Sequence, residues 1–496
     1  MSASRERKKR LEQDQIPASK KEKKKLSEGI ILAISIVLVL AVVFGGILIY
    51  RSYWRNATVL TVGDHKVSVK EFNYFFRGET TEMVNTYGSY LSFLGIDINV
   101  GLNHQTAAGA TEDGEAQTWA AYFADSAMNA ACAYYAVYDQ AMANGFTLSD
   151  DARADIDTEL ATLKSYASLY GMDEDDYVAA MFGSGCDIDG YEAYLELAYT
   201  YSEYLNSLTY TEEELSARYA QDPTEFDTVS FLLYRVSASE FVETDEEGNA
   251  AEVTDAERKQ AKAAADEMVA DFRAENDGVS EYDNYFKSEV ENTVSEEAAT
   301  WIFGGIEADT VKQFVVDDTY YVLKFISRSD NDYASVNALQ IYIPNDSDEE
   351  DSTDDTTEEA TAEEKLKAIR EALASDASQE NFEALVTEYS GSTISKGTLR
   401  TVTNEDMAKW FFEDKPAAGE YKEFTNEGGT YIVMFTGNDE SYKDLLVTNA
   451  LVNEWHDATI DAVTYEYDEE RAMHANVDLV LSEVYNLSGS NSSLLG

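Results

Sequence analysis

Gln340, Met407, Phe412 and Tyr431 are the residues of this chain whose types could together do chemistry. The side chains of Gln340 and Tyr431 can donate hydrogen bonds. Met407 and Phe412 are apolar and stand five positions apart. Without covalent chemistry, such a set can lower a reaction barrier only by binding a distorted substrate better than a relaxed one, in a dry pocket with a few placed hydrogen-bonding groups.

These residues lie in the second of two copies of one sequence pattern. Each copy has an apolar triplet that starts with Trp301 or Trp410 and ends with Phe, followed by a pair ending in Phe and then by a run of aromatic and branched residues. The spacing from Phe314 to Phe325 equals that from Phe424 to Phe435, and one extra residue lies upstream in the second copy. A duplicated pattern of this kind indicates two copies of one module.

The order of elements within a copy predicts its fold. Each copy opens with a β-like run, residues 229–236 and 336–343, and continues with helical segments whose apolar residues recur every three or four positions. Gly428-Gly429 then joins two more β-like runs as a hairpin. The order predicts two compact α+β domains, residues 227–330 and 334–438, in which helices cover an antiparallel sheet. A small α+β domain of another kind could show the same order.

Several segments of the second copy resemble the parvulin-type prolyl isomerases, and more closely the exported foldases called PrsA-like and SurA-like. Residues 381–390 (NFEALVTEYS) are similar to the helix signature of that family, residues 396–399 to its glycine turn, and residues 418–420 to the segment before its hairpin. The resemblance implies that Met407 and Phe412 seat a proline ring. The alternative is that these side chains, and the matching tyrosines, are ordinary core residues.

The resemblance also indicates the two sequence positions at which that family has histidines. Neither copy has a histidine at either position. The first position is held by Gln340 in copy two and Leu233 in copy one, and the second by Tyr431 and Tyr321. The chain's histidines all lie elsewhere, at His65, His104, His456 and His474. Gln340 and Tyr431 are therefore only candidates for a catalytic role. Copy one, with Leu233, Ala298 and Phe303 at the matching positions, is interpreted as a binding or spacer module.

Residues 58–222 have a mainly helical pattern and resemble the N-terminal chaperone domain of SurA-like proteins. An aromatic cluster in this stretch is the candidate client-binding surface, and its members are Tyr74, Phe75, Tyr87, Tyr90 and Phe93. Rings of this kind suit a surface that must be both apolar and wet, but they could equally build the helical core. Residues 439–486 are again helical and, by the same resemblance, pack back on that domain. Residues 487–496 are expected to be disordered.

The N-terminus predicts a membrane anchor. Residues 29–50 carry no charge over 22 positions, which is long enough for a helix to span the hydrocarbon layer. Residues 1–28 contain ten basic and five acidic side chains, so we expect this tail in the cytoplasm and the bulk of the chain outside. A cleaved signal peptide is the alternative.

Charge and cysteine content limit the other possibilities. The net charge of -58 repels nucleic acid. The acidic run at residues 346–358 is expected to be a solvated loop rather than a calcium site, because it lacks the spacing of an EF-hand. Cys132 and Cys186 could form one disulfide, but a buried thiol is the commoner outcome for a cysteine in a helix like that of Cys132. No metal or cofactor is expected.

Together these features predict a single-pass membrane chaperone or foldase that binds unfolded, newly exported polypeptides. Its parvulin-like domains are expected to be weak or inactive as isomerases. An active prolyl isomerase using Gln340 and Tyr431 is one alternative, and a docking or regulatory subunit of a membrane complex is another.

Overall fold

The computed structural model describes residues 52–110, 116–242, 252–345, 360–475 and 478–482. The anchor predicted at residues 29–50 lies outside the described residues, as do the basic tail, the acidic run and the C-terminal tail. Among the helices that are described, none is long and apolar enough to cross a membrane. The α+β class predicted from the sequence is confirmed, because the described residues form helices and four small antiparallel sheets.

The helices and strands are numbered here along the chain. The helices are α1 (Val69–Tyr87), α2 (Trp119–Ala143), α3 (Asp150–Tyr170), α4 (Glu174–Phe182), α5 (Ile188–Ser207), α6 (Glu212–Tyr219), α7 (Asp255–Ala270), α8 (Lys287–Thr293), α9 (Glu296–Ile302), α10 (Ala362–Ser375), α11 (Gln379–Glu388), α12 (Glu405–Lys409), α13 (Tyr442–Asp461) and α14 (Glu469–Ala472). The strands are β1 (Thr58–Val62), β2 (His65–Ser68), β3 (Thr106–Ala110), β4 (Ala116–Thr118), β5 (Thr228–Ser237), β6 (Val279–Tyr285), β7 (Val311–Val316), β8 (Thr319–Ser329), β9 (Ala334–Pro344), β10 (Ser392–Gly397), β11 (Tyr421–Thr425), β12 (Gly429–Ser441) and β13 (Tyr465–Tyr467).

The described residues form two compact units, one divided between the segments up to residue 207 and from residue 456, and the other within residues 208–455. In the first unit, the C-terminal segment returns to the start of the described chain. Strand β13 pairs antiparallel with β1, and Leu60 lies opposite Tyr467. The Arg471 guanidinium also donates a hydrogen bond of 2.8 Å to the carbonyl oxygen of Thr58.

Helix α1 is the centre of the first unit. It begins at a capping box, in which the Ser68 hydroxyl accepts from the Glu71 backbone N–H and the Glu71 carboxylate accepts from the Ser68 N–H. Phe72 and Phe76 pack into one apolar cluster with α2, while Tyr74 packs into a second cluster with α4 and α5. Because both sides of the helix are apolar, α1 is buried between two layers of helices.

The two cysteines lie in different apolar clusters of this unit, and both thiols are free. Burial raises the pKa of Cys132 to about 11 and that of Cys186 to about 12. The two thiols therefore behave as small apolar side chains and remain protonated at neutral pH.

The second unit contains the two copies, which have the same sheet order. The strands run β6-β5-β8-β7 in copy one and β10-β9-β12-β11 in copy two. The register also matches, since Leu233 lies opposite Leu323 and Gln340 lies opposite Val433. Positions paired by sequence spacing are thus at equivalent places in the two sheets.

The sheet of copy two lies between two layers. On one face, Ile341, Ile432 and Met434 pack against α10 and α11. On the other, Val433 and Phe435 pack against the segment that contains α12. Successive residues of a strand point to opposite faces, so β9 and β12 each contribute to both cores.

The segment of the second copy that contains the extra residue begins with a turn of π-helix. Residues Trp410–Asp414 form this turn directly after α12, and the Lys415 backbone N–H donates to the carbonyl oxygen of Trp410 at 3.1 Å. In copy one, α9 ends at Ile302 without such a turn. A π-turn absorbs one additional residue within a helix, and such turns are frequent at functional sites.

A half-buried carboxyl group on α1 allows a test of the first unit. Burial raises the pKa of Glu79, and the nearby Glu82 raises it further. The folded state therefore binds this proton more tightly than the unfolded chain does, so ionisation of Glu79 destabilises the fold above the raised pKa. We predict that Glu79→Gln increases the free energy of unfolding at pH 7 by on the order of 0.5 kcal/mol. The gain should shrink as the pH falls towards 5.

Thermal unfolding of the variant and the wild type at the two pH values measures this effect. Glu192→Gln is the matched control, because it removes the same charge from an exposed position on α5. An equal gain from both variants would show that overall charge, and not the burial of Glu79, is responsible.

Candidate functional site

The register of copy two brings Gln340 and Tyr431 to one face of the sheet. Gln340 of β9 lies opposite Val433 of β12, and Tyr342 lies opposite Tyr431. Gln340 and Tyr431 are therefore diagonal neighbours, and their side chains are close enough for one bound group to contact both. They share the face that packs against α12, not the face that is covered by α10 and α11.

Each of these two side chains is held by a neighbour. The Gln340 side-chain N–H donates to the hydroxyl of Ser392 on β10 at 3.0 Å, which uses one of the two amide N–H groups. The Tyr431 ring lies against that of Tyr342, with centroids 4.5 Å apart. Within the described part of the chain, the Tyr431 hydroxyl has no hydrogen-bond partner, so it is available to a ligand.

Met407 forms the apolar part of the same cleft. It lies on α12, where the Asn404 side-chain oxygen accepts from the Met407 backbone N–H at 3.0 Å and caps the helix. Its side chain is 3 % exposed. The cleft has a volume of about 360 Å³ and is also lined by β10 and by residues 401–404.

Phe412 lines a second cavity, to whose lining the other three predicted residues do not contribute. This cavity has a volume of about 530 Å³ and is lined largely by apolar side chains, among them Tyr333, Leu399, Phe411, Phe412 and Phe435. The Phe412 ring meets that of Tyr333 edge-on, with centroids 5.4 Å apart. The joint pocket expected for Met407 and Phe412 is therefore divided in two, with Met407 in the lining of the cleft and Phe412, within the π-turn, in the lining of the cavity.

The second cavity was not expected from the sequence. Its lining comes from the segment between the copies, the turn after β10, the π-turn and β12. Burial raises the pKa of Tyr333 to about 12, so its hydroxyl stays protonated at neutral pH. The extra residue between Trp410 and Phe424 was the one signal in the sequence that marked this region.

The equivalent place in copy one is filled. Leu233, Ala298 and Phe303 are all buried in one apolar cluster with Phe231. The Phe231 ring stacks on that of Tyr282, with centroids 5.1 Å apart. No hydrogen-bonding side chain replaces Gln340 there, so copy one has a packed core at the place where copy two has a cleft.

The chemistry open to the cleft of copy two is non-covalent. It presents an amide, a phenol and a thioether, which can hold a peptide group and an apolar side chain. In the described part of the chain, no group of three or more acidic, histidine or cysteine side chains is arranged to hold a metal ion.

The aromatic cluster of the first unit is split between core and surface. Tyr74 and Phe75 are buried, and the Tyr74 hydroxyl donates to the carbonyl oxygen of Asp187 at 2.8 Å. Tyr87, Tyr90 and Phe93 are 43 %, 67 % and 84 % exposed. The expectation of one surface containing all five rings is therefore wrong, because Tyr74 and Phe75 lie on the central helix α1. Only the rings at and beyond its C-terminal end reach solvent.

Two substitutions in the cleft distinguish a side chain that supports the fold from one that only lines the cleft. We predict that Met407→Ala lowers the free energy of unfolding by about 2–5 kcal/mol, because it leaves a cavity beneath the sheet. Tyr431→Phe should change it by less than about 0.5 kcal/mol, since the ring contact is kept and only an unpartnered hydroxyl is lost. Urea unfolding of the two variants measures both values. A large loss from Tyr431→Phe would mean that its hydroxyl supports the fold.

Comparisons with known proteins give little guidance. No protein family matches the sequence, and no curated protein matches it. Among solved structures, PrsA from Bacillus subtilis aligns with 63 % of this chain and 99 % of its own, with 11 % sequence identity and a TM-score of 0.13. A likeness at this TM-score carries no argument about function, which has to be argued from the geometry of the site.

Proposed function

We propose that this protein is a chaperone or foldase that binds extended segments of unfolded polypeptide, with copy two as a client-binding module. The observation that carries the proposal is the open cleft of copy two, where the Gln340 amide and the Tyr431 hydroxyl lie over the buried Met407. An unfolded segment offers backbone amides and scattered apolar side chains. The cleft supplies neutral hydrogen-bonding groups for the backbone amides and an apolar contact for the side chains.

The exposed aromatic rings of the first unit support the same function. Tyr90 and Phe93 lie 6.0 Å apart on a short 3-10 helix, Gly88–Leu94. Aromatic side chains provide apolar contact area at a low cost in conformational entropy. We propose that these rings form a second, weaker contact with clients, and that residues 29–50 anchor the protein in a membrane with both units on the outer side.

Active prolyl isomerisation is the second candidate. It is favoured by one observation, namely that Gln340 and Tyr431 face the same cleft as neighbours. Two placed donors could stabilise the twisted amide relative to the planar one. The uncatalysed exchange takes tens to hundreds of seconds. Because this rate is so low, even a weak catalyst produces a detectable acceleration.

Refolding of a client whose slow phase is an X-Pro isomerisation distinguishes the two functions. We predict that the full-length protein, in detergent, suppresses aggregation of the client without accelerating the slow phase. The double variant Gln340→Ala, Tyr431→Phe should weaken this suppression. Tyr321→Phe, at the matching position of copy one, is the control and should leave the suppression unchanged.

The alternatives give different results in the same assay. Acceleration that disappears in the double variant, but not in Tyr321→Phe, would make copy two an isomerase. A protein that neither suppresses aggregation nor accelerates refolding would contradict the chaperone proposal and favour a docking subunit.

A further inference from the structure

Three consecutive residues of one turn contact the larger cavity, copy one and the smaller cleft. The turn at residues 398–403 connects β10 to α12 in copy two. Leu399 lines the larger cavity, and Thr401 lines the smaller cleft. Arg400, between them, extends into copy one. The wall shared by the cleft and the cavity is therefore attached to the other copy at its midpoint.

The contacts of Arg400 with copy one are specific. Its guanidinium forms a two-pronged ion pair with Glu289, in which Nη2 lies 2.6 Å from Oε1 and Nη1 lies 3.0 Å from Oε2. It also donates to the carbonyl oxygen of Asn284 and lies 4.7 Å from the centre of the Phe286 ring. Charge, geometry and ring contact thus select arginine here over lysine.

Glu289 is itself fixed in place. Its carboxylate accepts from the backbone N–H of Phe286 at 2.7 Å, at the start of α8. Burial favours the neutral form of Glu289, but the Arg400 guanidinium and the Phe286 N–H hold its pKa below the usual range. The carboxylate is charged at neutral pH, and the ion pair is about one-third exposed. Such a pair is screened less than a fully exposed one.

We propose that Arg400 is a positioning residue through which copy one holds the wall of the client site in copy two. This inference rests on the proposed function. Copy one, whose own equivalent place is filled, then contributes to client binding without touching the client. The turn is also held by internal hydrogen bonds and by one from the Leu399 N–H to the Tyr333 hydroxyl. Loss of the ion pair therefore releases the turn from copy one without unfolding it, and widens the range of shapes that the cleft and the cavity adopt. Client affinity falls because the turn must be ordered again on binding.

A second two-pronged ion pair between an arginine and a glutamate provides the control. Arg370 on α10 forms a two-pronged pair with Glu423 on β11, with distances from 2.7 to 3.2 Å. Both residues belong to copy two, on elements that do not line the cleft or the cavity. Arg370→Gln therefore removes an equivalent interaction without releasing the turn.

Binding of a permanently unfolded client to the full-length protein in detergent tests the proposal. The probe is fluorescein-labelled ribonuclease A with reduced and blocked cysteines, a basic chain that suits the acidic protein. We predict that Arg400→Gln and Glu289→Gln each weaken binding roughly fivefold, a typical size for coupling between sites. The two changes together should weaken it no further. Arg400→Lys should restore only part of the affinity, and Arg370→Gln should leave it unchanged.

Hydrogen exchange on the same variants separates positioning from general destabilisation. Arg400→Gln should increase exchange at residues 398–403 while β9 and β12 stay protected. If wild type and Arg400→Gln bind the client equally, this inference is wrong and the proposed function stands. Equal losses from Arg370→Gln, or increased exchange throughout copy two, would also overturn it. If the wild type does not bind the client at all, both the inference and the proposed function fail.

Discussion

The antiparallel register between β9 and β12 is the constraint on which the candidate site depends. Gln340 lies opposite Val433, and Tyr431 lies two positions away on the same face. A slip of one residue would move every side chain of a strand to the other face, and Tyr431 would then be covered by α10 and α11. The register is well specified because Ile341, Ile432 and Met434 are fully buried on that opposite face. The core on one side of the sheet thereby determines which residues form the cleft on the other.

The two copies show how little change is needed to open a site on this framework. Both have the same strand order and the same pairing, but Leu233 occupies the place of Gln340. Phe303 is buried in copy one, while its counterpart Phe412 lies in the π-turn and lines the second cavity. Gln340 in place of Leu233, Met407 in place of Ala298 and one inserted residue are thus among the differences between a packed core and a pair of concave surfaces. None of these residues belongs to the core beneath α10 and α11.

The net charge of the chain and the charge of the cleft lining differ. The chain carries a net charge of -58, yet the cleft of copy two is lined mainly by neutral side chains. Under the proposed function, binding at the cleft would depend on shape and hydrogen bonding, while the overall charge would attract basic segments of a client over longer distances. The proposed contribution of the Arg400–Glu289 pair is different, because this ion pair joins the two copies and does not line the cleft.

Local patterns in the sequence were sufficient for the duplicated module, the α+β class and the strands that carry Gln340 and Tyr431. These features follow from residue types repeated at short spacing, and a period of two or three to four residues is a property of the chain alone. The sequence also marked one extra residue before Phe424, without showing what it does. Tertiary structure decided that Tyr74 and Phe75 are buried, that Phe412 and Met407 face different concave surfaces, and that Arg400 reaches Glu289 in the other copy. Each of these outcomes depends on packing between segments far apart in the chain, and neither composition nor spacing specifies which segments meet.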